Sequence, residues 1–219
     1  MMKIREIRAA AREELKGNWT NPVLITLVYV GFGVVVSAVS NLLSKGGAKA
    51  SVEFIISLLV LLPMGFGFLL YFLRFIRNDR DESLTKYLFY GFEDYGKTLS
   101  VVLLAFVYQF LWFLLFIIPG IIKAYAYAMT YYISYDNPEL SAEECINRSM
   151  KMMYGHKLDL FLLDLSFIGW ILLSILTLGV GMLWVTPYMY TSRAKFYEEL
   201  KMQEQVGGEE GETVRAEIE

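Results

Sequence analysis

Asp164 is the residue of this 219-residue chain with the most chemistry to offer. It stands at the start of a long uncharged apolar run, where a carboxylate costs about 2.5 to 3.5 kcal/mol on insertion scales, so it needs a partner at its own depth. Arg193 closes the returning apolar run, and a helical hairpin would bring it there. The pair reads either as an ion or proton site or as a structural salt bridge that locks the hairpin. The second reading is favoured, because ion-pair networks often imitate sites. Asp159, five residues earlier, would point about 140° away on a helix, so the two carboxylates make no aspartyl-protease dyad.

The remaining intramembrane polar candidates are Gln109, Lys123, Tyr127 and Tyr131. Gln109 sits in the middle of an apolar run, where it can hydrogen-bond to a neighbouring helix or line a polar path. Lys123 follows Pro119-Gly120 and reads as a snorkelling anchor at the outer interface, with a cavity-facing cation as the alternative. Tyr127, Tyr131 and Tyr135 recur every four residues, with Ala124 and Ala128 on another face; that pattern suits close helix packing, and a hydroxyl-lined route is the sharper alternative. Pro63 and Pro187 interrupt apolar runs, as happens in transporters and in ordinary kinked helices. No catalytic, cofactor-binding or metal-ligating residues are assigned. There is no nucleophile–base constellation and no phosphate loop, and one His with one Cys cannot build a typical zinc site.

The elements that must position these residues are apolar to an unusual degree. Hydrophobic residues make up 56% of the chain, and no charge falls between Lys16 and Lys45 (28 residues), Glu53 and Arg74 (20), Lys97 and Lys123 (25) or Asp164 and Arg193 (28). About 20 apolar residues cross the hydrocarbon, so these windows define a polytopic, all-α membrane protein and exclude nucleic-acid binding and disulfide-rich secreted scaffolds. Six transmembrane helices are expected as three helical hairpins: Val23–Leu43 with Phe54–Leu73, Leu99–Ile118 with Ile121–Tyr135, and Leu160–Leu178 with Val180–Tyr190. The last two joints are placed at Pro119-Gly120 and Gly179. Ile121–Tyr135 would rise only about 22 Å, short of the hydrocarbon thickness, so the last two hairpins need not span fully.

A more polar, amphipathic interfacial helix precedes each hairpin, and each ends near a glycine: Gly17, Gly96 and Gly155. Equal intervals from Gly96 to Gly120 and from Gly155 to Gly179 give an internal repeat, with units at about 3–76, 84–135 and 141–200 in one membrane domain, 1–202. The segment 203–219 is acidic and reads as a disordered tail. Seventeen of the 20 Lys and Arg residues fall on the side of the termini, so both termini are expected to be cytoplasmic. Ser141 and Glu144 form a capping-box signature after Asn137-Pro138.

The blocks IIPGIIKAYAYAMTYYI, DNPELSAEE and GHKLDLFLLDLSFIGW, the closing Pro187-Tyr188 with FYEEL, and the N-terminal IREIRAAAREELKGNW together resemble the bacterial membrane proteins grouped as domain of unknown function 975, over roughly residues 3 to 200. The resemblance implies a bacterial cytoplasmic-membrane protein and carries no catalytic residues. The expected function is therefore non-enzymatic, organising lipid or partner membrane proteins, with a small-molecule or ion transporter as the alternative. Its expected partners are the anionic lipids of the inner leaflet, other membrane proteins or further copies of itself, without nucleic acid and without a cofactor.

Overall fold

The computed structural model describes residues 3–43, 55–79 and 84–218, and every regular element among them is helical. Helix α1 (Ile4–Leu15) starts where Glu6 accepts the Lys3 N–H at 2.8 Å. Its Ile7, Ala11 and Leu15 recur every four residues, so they form one face, and all three are fully buried. Gly17 ends the segment at φ 78°, a left-handed conformation that glycine adopts without a Cβ clash. Helix α2 (Thr20–Leu43) carries Pro22 in its first turn, where no intrahelical N–H is lost, and leaves Leu27, Val34, Val35 and Leu42 exposed.

The hub of the fold is α3 (Leu62–Ile76), which continues a π-helical turn, Ser57–Leu61. Four helical stretches are long and apolar enough to cross a membrane: Thr20–Leu42, Ser57–Ile76, Tyr95–Leu115 and Lys157–Leu176. In the second, 61% of the most apolar window is buried within the protein, against 22% in each of the others. Ser57–Ile76 is thus the inner helix and the rest turn much of their apolar surface outward. The two remaining expected spans are shorter. Residues 121–135 divide into α6 (Ile117–Ala126) and α7 (Thr130–Asp136), and residues 180–190 form a turn and the first part of α11 (Met182–Ile218).

Helix α4 (Leu84–Phe89) and a 3-10 turn (Tyr90–Phe92) lead to α5 (Tyr95–Leu115), and α8 (Ala142–Met152) leads through a turn to α9 (Lys157–Leu165) and α10 (Ile168–Leu176). Neither stretch is one continuous helix. Around α3 gather α2, α4, α5, α7 and α11, while α1 rests on α11 and α9. Ser141 caps α8 as its sequence signals: its Oγ accepts the Glu144 N–H at 3.3 Å, and Glu144 accepts the Ser141 N–H at 2.8 Å.

Several boundaries differ from those expected. The second turn is made not by Gly96, which lies inside α5, but by Asp94, whose carboxylate accepts the Lys97 N–H at 3.2 Å as an N-cap. The α5–α6 joint falls at Phe116, which is extended at φ −158° and ψ 143°; Pro119 and Gly120 lie inside α6, because proline is tolerated in a first turn. Gly155 and Gly179 do occupy left-handed turns, at φ 84° and 87°. Helix α4 lies directly against α3, a tighter setting than the surface helix expected. The acidic segment, expected to be disordered, continues α11 to Ile218; it prolongs an existing helix and so bears no nucleation cost. The outer connection Ser44–Ser51 lies outside the described residues.

Candidate functional site

Asp164 sits on the second turn of α9 with its side chain 15% exposed, and α11 brings Arg193 to it in a two-pronged contact. Nε donates to Oδ1 at 2.9 Å and Nη2 to Oδ2 at 2.7 Å. The Tyr125 hydroxyl, from α6, donates to the same Oδ2 at 3.2 Å. The planar guanidinium matches the carboxylate edge, which makes this the strong form of ion pair. A carboxylate held by a guanidinium fork and a phenol is a clamp between three helices.

Gln109 and Lys123 lie elsewhere. Gln109 Nε2 donates to the Gly120 carbonyl at 2.8 Å, tying α5 to α6 just inside their joint. Lys123 Nζ lies 4.8 Å from the Trp112 ring centre and 5.9 Å from that of Tyr127, with Met150 Sδ at 3.6 Å. Trp112 Nε1 donates to the Tyr127 hydroxyl at 3.1 Å, which completes a cation–aromatic cluster of α5, α6 and α8. Tyr131 belongs to a third place: its ring meets Phe66 edge-on at 6.0 Å and borders a cavity of about 180 Å³ with Tyr29 and Tyr190. Of the six candidates Asp164 meets Arg193 and Lys123 lies over the Tyr127 ring, while Gln109 and Tyr131 each bond or pack elsewhere.

If the clamp is structural, Asp164→Asn and Arg193→Gln should each lower the thermal transition in detergent, and the double variant should recover much of the loss, because either single change strands a part-buried partner. Strictly additive losses would reject the coupling.

The most heavily connected charge is one that sequence reasoning missed. Asp136 is the last residue of α7, and its side chain is 7% exposed. Arg77, just past α3, donates to both of its oxygens at 2.7 Å, Lys201 Nζ reaches Oδ2 at 2.6 Å, and the Tyr197 hydroxyl donates at 3.0 Å. Arg77 also pairs with Glu198 at 2.5 Å. Burial alone would raise the Asp136 pKa, but the hydrogen bonds from Arg77 and Lys201 outweigh it and hold it at about 2. One signal was available: an acid at a helix C-terminus faces the negative end of the helix dipole and requires cations. Arg8 is the other omission. Its guanidinium lies 4.8 Å from the Phe167 ring and 5.6 Å from that of Tyr188, donates to the Ser166 carbonyl at 3.3 Å, and leaves its buried Nε without a partner.

All-helical structure, four apolar helices of membrane-crossing length and charges consumed in helix–helix clamps define the class: a helical protein of the membrane type. The family model described as "Protein of unknown function (DUF975)" matches residues 1–124 and 113–204, and the chain belongs to that family. No curated protein and no solved structure matches it.

Proposed function

We propose that this is a non-enzymatic integral protein of the bacterial cytoplasmic membrane that organises lipid or partner membrane proteins, with its apolar segments in three hairpins and both termini inside. The observation that carries the reading is the use made of the intramembrane polar groups. Gln109 satisfies a backbone carbonyl, Lys123 rests on aromatic rings and Asp164 is clamped by Arg193 and Tyr125. Around α3 the core is filled, with Met64, Phe72 and Leu73 fully buried. A transport reading draws on the small cavity bordered by Tyr29, Tyr131 and Tyr190, which is the one observation in its favour.

Native mass spectrometry of protein extracted with its lipids should show retained anionic lipid, and reconstituted protein should leave ion and solute gradients across vesicles intact. A flux that Asp164→Asn abolishes would replace this reading with transport. Orientation has its own test. Cys145 is fully buried, so it should stay unlabelled in the folded protein. In a Cys145→Ser background, a cysteine at Tyr154, whose side is 83% exposed, should react with an impermeant thiol reagent only from the cytoplasmic face, and one at Leu178, 96% exposed, only from the outer face. Labelling on the opposite faces would reverse the topology.

A further inference from the structure

The largest of the described cavities, about 620 Å³, opens where α1 ends and α2 begins. Arg12, Glu13, Lys16 and Gly17 form one side, Trp19 stands at the entry to α2, and Trp170, Trp184, Val185 and Tyr188 line the rest from α10 and α11. Its volume falls within the range of about 300 to 1,000 Å³ that small-molecule sites occupy.

The lining is divided by chemistry. The apolar helix begins at Thr20, so the cationic rim sits at a membrane–water boundary, while Trp170 and Trp184 come from the apolar runs on either side of the Gly179 turn. The Arg12 side chain makes no hydrogen bond or ion pair among the described residues, and its guanidinium lies 5.9 Å from the Tyr188 ring. Lys16 has only a 3.5 Å contact with Glu13 in which both side chains are 75% exposed, and such pairs hold their partners weakly. Behind Tyr188, Arg8 adds a second guanidinium facing aromatic rings and a carbonyl rather than a carboxylate. Two cations, Arg12 and Lys16, therefore border the cavity with one acid, Glu13, at its mouth, and Arg8 stands behind Tyr188 outside the lining. Glu14, the next acid on α1, is engaged by Lys195 at 2.8 Å.

We infer that this cavity binds one anionic phospholipid, its phosphate at Arg12 and Lys16 and the start of its acyl chains against Trp170, Trp184 and Val185. A free anion would use the cationic rim and leave the tryptophan floor without a function. A neutral lipid would leave two cations unanswered. Tryptophan suits the zone between, with an apolar ring and an N–H for the polar side. The inference rests on the lipid-organising reading for its membrane setting, and it gives that reading a defined place on the protein.

The chain has four tryptophans, and only Trp112 lies away from this cavity, so a Trp112→Phe variant reports on the cavity alone. In phosphatidylcholine nanodiscs doped with phosphatidylglycerol brominated on its acyl chains, its fluorescence should be quenched at low mole fraction and saturate. Brominated phosphatidylcholine at the same fraction should quench far less. Arg12→Gln with Lys16→Gln, both exposed changes, should weaken the apparent affinity by roughly five-fold per cation removed, with the thermal transition unchanged. Arg5→Gln, an exposed change on the same helix away from the cavity, should leave the quenching as it was. Equal quenching by the two brominated lipids, or quenching indifferent to Arg12 and Lys16, would overturn the site. Inorganic phosphate that abolishes the phosphatidylglycerol signal at low millimolar concentration would also overturn it, in favour of a free-anion site. Anionic lipid retained in native mass spectra without preferential quenching would reject this site and leave the broader reading standing.

Discussion

Asp136→Asn should destabilise the protein more than any other single charge change. The substitution keeps the size of the side chain and removes the charge on which Arg77, Lys201 and Tyr197 converge. Glu198 would then face Arg77 alone, and Lys201 would lose its only side-chain partner among the described residues. Breaking a fully buried pair by removing one member costs about 3 to 5 kcal/mol, and the loss here should be smaller because the side chains of Arg77 and Lys201 are 28% and 34% exposed. Asp136 joins the ends of α3 and α7 to α11, so the loss should appear as earlier melting of the whole protein in detergent. Glu204→Gln is the control: its 3.3 Å contact with Arg148 is 45% exposed on the Glu204 side and should matter little. Equal effects of the two changes would show that the Asp136 network does not hold the helices together.

The same network sets an acid dependence. An unfolded aspartate titrates near 3.9, and in the fold Asp136 titrates at about 2, so the folded state favours the ionised form. Its contribution is fully present above about pH 4 and is lost as pH falls from there through about 2. Across that interval the wild-type protein should lose stability more steeply than Asp136→Asn, which has no such proton to take up. Parallel curves would mean that Asp136 is not the group responsible.

Asp164 and Asp136 show what the sequence could and could not disclose. Asp164 stood out because its surroundings are apolar for many residues, so a carboxylate there demanded an answer, and only a cation closing the returning run could give it. Asp136 sits between an apolar run and a polar turn, where an acid looks ordinary; its importance comes from Arg77 and Lys201, 59 and 65 residues away in the chain. Tyr125 was hidden in the same way: it lies off the four-residue tyrosine stripe, and only the crossing of α6 with α9 brings it to Asp164. Helix ends divide along a similar line. Gly17, Gly155 and Gly179 mark real turns because the chain needs a left-handed residue there. Gly96 and Gly120 are helical, and Gly120 is small for a different reason, since a Cβ there would meet the Phe113 ring at 2.6 Å. A glycine in a sequence states that a side chain is absent. It does not state whether backbone torsion or a neighbour requires the absence.

That distinction leads to the second large effect expected, at Gly67 and Gly91. Both let α4 and the 3-10 turn lie against α3. A Cβ on Gly67 would run into the carbonyl oxygens of Tyr87 and Leu88, and one on Gly91 into the carbonyl of Pro63. These obstacles are backbone atoms, which no rotamer change can move, so Gly67→Ala and Gly91→Ala must each push α4 or the 3-10 turn away from α3. Overpacking of this kind costs about 1 to 3 kcal/mol. The core beneath would open as well, because Tyr87 and Leu88 are almost fully buried and the Tyr71 ring meets Tyr87 edge-on at 5.4 Å. Gly31→Ala and Gly33→Ala on α2 supply the contrast. Gly31-Phe32-Gly33 repeats the Gly65-Phe66-Gly67 of α3, yet a Cβ at position 31 or 33 meets nothing within 4 Å, so helix propensity alone should apply and stability should hold or rise by about 0.5 to 1 kcal/mol. Melting of the four variants in detergent, read by circular dichroism, decides the matter. Loss at 67 and 91 with none at 31 and 33 places α4 in close contact with α3. Four alike would detach α4 from the bundle and restore the surface helix that the sequence led us to expect.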